Sequence, residues 1–205
     1  MEPFTKLDTN AAAIAIENID TDQIIPARFM RAPRGTDHGQ FLFHDMRRDT
    51  DGKARADFPL NSPDLAGAGV LVADTNFGCG SSREAAVYAL YDAGIRCVIA
   101  PSFGDIFYSN ATKNGLLPVV LDRAVVQSIW KTLETANSAR VEVDLETQTV
   151  HMPNGATHRF EIDPFKKRCL LEGLDDIDLT LRHSDEIERH EQAQNDNRPW
   201  AGTIG

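Results

Sequence analysis

Apolar and polar positions divide the chain into two differently built parts. Between residues 69 and 136, short apolar runs alternate with stretches of helical periodicity. Val70-Leu71-Val72-Ala73 follows Gly67 and Gly69 and predicts a buried strand. Ala85 to Ala93 is rich in helix formers, with Val87, Leu90 and Tyr91 at helical spacing and Gly94 as its stop. Cys97-Val98-Ile99-Ala100 predicts a second buried strand, and a helix should run from Asp105 to Lys113, ended by Asn114-Gly115. Leu117 to Leu121 predicts a third strand. Asp122 then caps a helix on which Val125, Ile129 and Leu133 recur every four residues, with Val126 and Trp130 alongside. Such strand–helix alternation implies a largely parallel, helix-covered sheet.

Outside that stretch the period changes. Ala11 to Ile16 predicts a first strand and Asn18 to Asp22 a polar turn, in which Thr21 and Asp22 bond their own backbone. Ile24-Ile25 re-enter the core before Pro26. Val141, Val143 and Leu145 alternate with polar residues, then Val150 and Met152, the Asn154-Gly155 turn, Phe160 and Ile162; this predicts an antiparallel hairpin. Asp175 to Gln194 reads as an acidic helical segment, and residues 195–205 as a loosely held tail. Residues 28–64 mix charges with Pro33, Gly35, Gly39 and Gly52 and read as a long loop. Phe29, Phe41, Leu42 and Phe43 are too apolar for solvated chain, and the expectation is that this loop packs against a partner subunit. The fold class is α/β, with one domain over residues 1–194.

Composition narrows the partners. A net charge of −10 argues against nucleic acid, which requires a basic patch. No apolar run approaches the roughly 18 residues needed to span a bilayer, and the start carries Glu2 and Asp8 in place of a signal peptide's basic and apolar regions. The expected location is the cytoplasm. Cys79, Cys97 and Cys169 are widely spaced, without the close pairs of an iron–sulfur site, so no cluster or other metal is expected in this chain. His183 and His190 could share a helix face but lack a carboxylate at metal spacing, and read as solvated.

The chemistry concentrates in Asn76 to Glu84, NFGCGSSRE, between the Val70–Ala73 strand and the helix that follows. Free N–H groups of a helix's first turn and the helix dipole favour an anion there. Gly78 and Gly80 permit close approach to the main chain, and Arg83 offers a planar fork for a carboxylate. A purely structural reading fits the same letters: Ser81-Ser82-Arg83-Glu84 matches a capping box, Ser81 bonding the Glu84 N–H. Arg83 stands where a dinucleotide fingerprint needs a third glycine and also breaks the nucleophile-elbow pattern.

Three blocks, Asp20-Thr21-Asp22-Gln23-Ile24-Ile25-Pro26, Asn76 to Glu84, and Pro101-Ser102-Phe103-Gly104-Asp105-Ile106-Phe107 continuing to Lys113-Asn114-Gly115-Leu116-Leu117-Pro118, stand in an order that resembles the small subunits of 3-isopropylmalate dehydratase. Those subunits resemble the mobile fourth domain of aconitase. The resemblance implies an aconitase-type swivelling β/β/α domain with a partly parallel sheet, a β-hairpin and a C-terminal helical segment. It implies a hydro-lyase of leucine biosynthesis that interconverts 2- and 3-isopropylmalate, with a four-iron four-sulfur cluster in a large subunit. Carried over by position, Ser81 is the catalytic base and Arg83 its catalytic partner. Ser82 and Arg28 bind substrate, with Arg31 as a rival to Arg28, and Thr21 and Asp22 line the same site. The family usually continues from Arg-Glu with His-Ala-Pro-Trp, where this chain has Ala85-Ala86-Val87-Tyr88. A paralogue acting on citraconate or a methylated malate therefore stays open, as do a non-catalytic structural subunit and a self-contained anion binder.

Overall fold

The computed structural model describes residues 1–135, 139–198 and 200. In chain order its elements are β1 (Lys6–Ile14), α1 (Thr21–Ile24), α2 (His44–Arg47), β2 (Val70–Ala73), α3 (Glu84–Asp92), β3 (Cys97–Ala100), α4 (Asp105–Lys113), β4 (Leu117–Val120), α5 (Arg123–Thr135), β5 (Arg140–Asp144), β6 (Thr149–His151), β7 (Thr157–Arg159), α6 (Pro164–Glu172), α7 (Asp176–Leu181) and α8 (Ser184–Asn197). The described strands form one seven-stranded sheet in the order β4-β3-β2-β1-β5-β6-β7. β1 to β4 run parallel, and β5 to β7 continue the sheet as an antiparallel meander, as the α/β reading expected.

β1 joins the two halves by dividing its pairing. Ala11 to Ile14 pair in parallel with Val70 to Ala73, while Lys6 to Asn10 pair antiparallel with Asp144 to Arg140. The sequence reading began this strand at Ala11 because the first half is polar. What recruits it is its register on β5, which sets Leu7 against Val143 and Thr9 against Val141. Lys6–Glu142 at 2.8 Å and Arg140–Asp8 at 2.7 Å line the exposed side, where such pairs contribute little, about 0–1 kcal/mol each.

The parallel strands are covered on both faces, so they read as continuous apolar runs. One face turns Ala12, Ile14, Leu71, Ala73, Val98 and Ala100 toward Ala86 and Leu90 of α3 and Phe107 and Ala111 of α4. The opposite face turns Ala11, Val70, Val72, Cys97, Ile99 and Val119 toward Val126 and Ile129 of α5 and Leu170 of α6. Neighbouring residues alternate faces because the strand period is two. Cys97 behaves as a small hydrophobe here, and burial drives its thiol pKa far up.

The 28–64 stretch departs most from expectation. It is built of short helical turns at Ala27–Phe29, His38–Phe41, Pro59–Asn61 and Pro63–Leu65, with α2 between them. Leu42 and Phe43 are fully buried in this chain's own core, and the Phe43 amide donates to Ile24 O at 2.8 Å. Phe43 packs on Phe58 at 5.8 Å between ring centroids, and Phe29 stacks on Phe41 at 4.3 Å. These side chains are apolar because they fold inward, so they supply no argument for a partner.

The acidic C-terminal segment is two helices. Asp175 caps α7 through the amides of Ile177 and Asp178, and the chain breaks at Arg182-His183 before α8 runs to Asn197. Asn195 to Asn197, expected in the tail, belong to α8, while 199 and 201–205 lie outside the described residues. Replacing Phe43 by Ala should cost the chain alone about 3–5 kcal/mol, because no partner supplies its packing. Urea unfolding without any second subunit measures this, and a loss below about 1 kcal/mol would detach the 28–64 stretch from the core.

Candidate active site

β1, β2 and β3 end on one edge of the sheet, and the segments leaving them pair again. After the Ile14–Ala73 register closes the sheet ladder, Asn18 N–H donates to Thr75 O at 2.9 Å, Gly78 N–H to Ile19 O at 2.7 Å and Thr21 N–H to Cys79 O at 3.0 Å. On the other side Phe77 N–H donates to Ser102 O at 3.0 Å, Gly104 N–H to Phe77 O at 2.9 Å, and Asn76 N–H to Ser102 Oγ at 2.9 Å. The Asn76–Glu84 turn is thus a pseudo-strand held between the segment after β1 and the segment after β3. The C-terminal edge of a parallel sheet is the usual place for a ligand site.

Left-handed residues shape this turn at Asn76, Gly78 and Gly80, with φ of 64°, 71° and 89°. Gly78 also has no room for a side chain, since a Cβ there would lie 2.3 Å from the Phe107 ring. The close approach at Gly78 is therefore made by an aromatic of α4, not by a ligand as the sequence reading had it. Phe77, Phe103 and Phe107 form a cluster beneath the turn, with centroids 5.3 to 6.3 Å apart. Gly104 presses on the Gly78 carbonyl, where a Cβ would come within 2.6 Å. That contact gives the Pro101–Phe107 block a physical role.

Beyond Gly78 the chain turns to solvent. Gly80, Ser81 and Ser82 are exposed, and neither serine hydroxyl has a hydrogen-bond partner among the described residues. The amides from Gly80 through Ala85 likewise donate to no carbonyl or side chain, the next bond being Ala86 N–H to Arg83 O at 3.1 Å. A run of unpaired N–H groups leading into a helix N-terminus is an anion receptor. The sequence pointed to the first helical turn only; the structure extends the run back to Gly80.

The alternative reading of Ser81 as the start of a capping box does not hold. Arg83 is the N-cap of α3 and makes no side-chain cap bond, and the Glu84 carboxylate accepts instead from Asn114 Nδ2 at 2.8 Å. A capping box does occur at Asp20, whose carboxylate takes the Gln23 amide at 2.8 Å while Gln23 Oε1 takes the Asp20 amide at 2.8 Å. Thr21 and Asp22 consequently open a short helix in place of the predicted turn. Thr21, almost fully buried, donates its hydroxyl to Ser81 O at 3.1 Å.

Arg83 is largely buried and its Nη1 lies against Asp22 Oδ1 as an ion pair, without the alignment of a full hydrogen bond. Contact with the Arg83 guanidinium holds the Asp22 carboxyl below its usual range. The fork predicted to meet a ligand is thus oriented by Asp22. Cys79 is half-buried beside them, its thiol pushed up by burial and then by the Asp20 charge.

Thr21, Asp22, Ser81 and Arg83 are brought together, and Ser82 lies beside them. Arg28 is not: it pairs with Asp45, its guanidinium lies 4.6 Å from the Phe29 ring centroid, and no hydrogen bond joins it to the turn. Arg34 lies 4.0 Å from the centroid of the Tyr88 ring and pairs with Asp92 at 3.4 Å. Arg31 makes no hydrogen bond or ion pair among the described residues. Nor do three metal-ligating side chains converge among them.

Comparison with known proteins agrees with this architecture. Residues 1–124 match the aconitase C-terminal domain, residues 127–164 a LeuD N-terminal model, and residues 176–202 the C-terminal domain of the 3-isopropylmalate dehydratase small subunit. The chain is 49% identical to the 3-isopropylmalate dehydratase small subunit of Rhodospirillum centenum, over 98% of this chain and 99% of that one. It is 50% identical to that of Roseobacter denitrificans, over 98% of this chain and 100% of that one. The solved structure of 3-isopropylmalate dehydratase (leuD) from Methanocaldococcus jannaschii superposes with a TM-score of 0.65 at 29% identity, covering 90% of this chain and 99% of that one.

Two outcomes are expected from this geometry. Ser81→Ala should leave stability within about 0.5 kcal/mol of the wild type, as for an exposed group that caps nothing. A loss near 1 kcal/mol in chemical denaturation would restore the cap. The Asp22–Arg83 pair should be complete above the unfolded carboxyl value of about 3.9 and lost only as pH falls through the lower folded value. An NMR titration of the Asp22 carboxyl carbon with a midpoint at or above 3.9 would contradict the pair.

Proposed function

The chain belongs to the family of 3-isopropylmalate dehydratase small subunits, and from that premise we infer how its turn takes part in the reaction. It acts as the small subunit of the hydro-lyase of leucine biosynthesis that interconverts 2-isopropylmalate and 3-isopropylmalate by dehydration and rehydration. A small subunit of this kind works with a large one. The three cysteines here do not fit a cluster, since Cys97 and Cys169 are buried, Cys79 is half-buried, and no three metal-ligating side chains converge among the described residues. We assign the four-iron four-sulfur cluster to the large subunit, where it supplies a Lewis acid for the departing hydroxyl.

The remaining chemistry falls to this chain. Dehydration removes a proton from a carbon next to a carboxylate, and the charge that develops spreads into that carboxylate. We propose that the unpaired amides of Gly80 to Ala85 and the Arg83 guanidinium receive it, and that Ser81 Oγ takes the proton. A serine oxygen serves as a base only where positive potential lowers its pKa, and those amides, the α3 dipole and Arg83 are its nearest sources. Ser82 offers a second hydroxyl to the substrate. Asp22 orients Arg83, and Thr21 holds the Ser81 carbonyl and thereby the direction of its side chain. For a further carboxylate contact Arg28 would have to leave Asp45, whereas Arg31 is uncommitted.

The observation that carries this reading is the exposed pair of serine hydroxyls beside the run of unpaired amides. A purely structural turn would use at least one of those groups. Ile16, Ile106 and Val120 are exposed at 41%, 49% and 42% on the edge where β1, β3 and β4 end, which supports that edge as the face that meets the large subunit.

On the reconstituted pair, Ser81→Ala should lower kcat by a hundred- to ten-thousandfold, about 3 to 5 kcal/mol of barrier, with assembly and Tm unchanged. Retention of more than about a tenth of wild-type kcat would return Ser81 to a structural role. Arg83→Lys keeps the charge but loses the planar fork, and should raise KM about tenfold or more. The purified chain by itself should show no turnover on 2-isopropylmalate, citraconate or methylated malates.

A further inference from the structure

The ladder that holds the turn has a gap. Sheet pairing stops at Ile14 and Ala73, and backbone pairing resumes only where Asn18 meets Thr75. Two acidic residues lie inside the gap, Glu17 on the segment leaving β1 and Asp74 on the segment leaving β2. Asp74 is buried, its carboxylate 6% exposed, and it accepts from the Thr75 amide at 2.7 Å and the Thr75 hydroxyl at 3.1 Å. Left alone, these carboxylates would repel each other and push the strand exits apart.

One atom prevents this. Nη2 of Arg123, the first residue of α5, donates to Asp74 Oδ2 at 3.0 Å and also contacts Glu17 Oε1. Burial pushes the Asp74 carboxyl up, but Arg123 and the two Thr75 donors outweigh it and hold the group ionised. Among the described residues no hydrogen bond or ion pair joins Arg123 to Thr21, Asp22, Ser81, Ser82 or Arg83.

We propose that Arg123 is a positioning residue. By bridging Glu17 and Asp74 it closes the gap between the exits of β1 and β2, and so fixes the segment bearing Thr21 and Asp22 against the turn bearing Ser81 and Arg83. The proposal rests on the reading of Ser81 and Arg83 given above for its effect on catalysis, but its structural half does not. Because a single nitrogen makes both contacts, a lysine ammonium should replace it in kind.

Hydrogen exchange and kinetics test this together. In the free chain, Arg123→Ala should speed exchange of the Gly78 and Thr21 amides, which donate across the ladder, by about tenfold or more, while the amides of β3 keep their protection. Arg123→Lys should stay within about threefold of the wild type. In the reconstituted enzyme, Arg123→Ala should lower kcat about five- to tenfold with KM within twofold, and Arg123→Lys should restore at least half of the loss. If Arg123→Ala does not fold, Glu17→Gln, an exposed change that keeps the Asp74 pair, should still speed exchange at Gly78 and Thr21 about threefold. Exchange at those two amides unchanged in the folded variants, or accelerated equally throughout the sheet, would overturn the proposal. Faster exchange at Gly78 and Thr21 in Arg123→Ala, together with a Ser81→Ala enzyme that keeps its kcat, would keep the clamp and remove the reading of Ser81.

Discussion

Everything in the site hangs on the backbone pairing that continues past the ends of β1 and β2. A glycine-rich turn in isolation samples many conformations, and ordering each residue costs about 1–2 kcal/mol. Here the cost is met by bonds to Ile19, Ser102 and Thr21, each contributing about 1 kcal/mol, and by the phenylalanine cluster beneath. Asn76 is held left-handed without being glycine, a state that costs roughly 1–2 kcal/mol, and its side chain donates to Asn18 Oδ1 at 2.9 Å across the same ladder. Pairing below Gly78 thus releases the chain above it to leave its amides unpaired.

The parallel half of the fold was legible because apolar runs and helical periods alternate cleanly there. The hairpin was legible from Asn154-Gly155 between alternating strands. The first half of β1 was not, since Lys6, Asp8 and Asn10 look like surface chain until their partners, more than a hundred residues away, are known. The capping motif shows the same limit at the site. Ser81 to Glu84 and Asp20 to Gln23 both fit a cap pattern, and only the second forms one. Tertiary pairing decides: the ladder holds the chain through Cys79, Thr21 takes the Ser81 carbonyl, and α3 starts only after Arg83. The free amides at Gly80 to Arg83 were invisible for that reason, because local pattern would have satisfied some of them.

The helix beneath the turn carries this chain's clearest departure from its family. Val87 is fully buried against the sheet, so the change at that position alters packing alone. Tyr88 does more. Its ring lies under the Arg34 guanidinium and meets His38 edge-on at 5.9 Å, tying α3 to the stretch that begins at Arg28. Arg34 and Arg28 are both committed to neighbours within this chain, and of these three arginines Arg31 is the one with no hydrogen bond or ion pair among the described residues. Local composition could not have ranked three arginines spaced three apart.

The divided pairing of β1 also sets an order of assembly. Its second half finds β2 early, but its first half pairs with a strand typified by Arg140, which bonds Asp8 across 132 residues of chain. At a synthesis rate of about 5–20 residues per second, the first strand made waits roughly 7 to 26 seconds for its second neighbour. Until then one side of the central strand is an open edge, the sort of edge that joins another chain. Non-local contacts of this span also slow folding in a full-length chain. Lys6, Asp8 and Asn10, which look incidental in the finished sheet, line that waiting edge with two charges and an amide, the kind of polar groups that discourage an open edge from joining another chain.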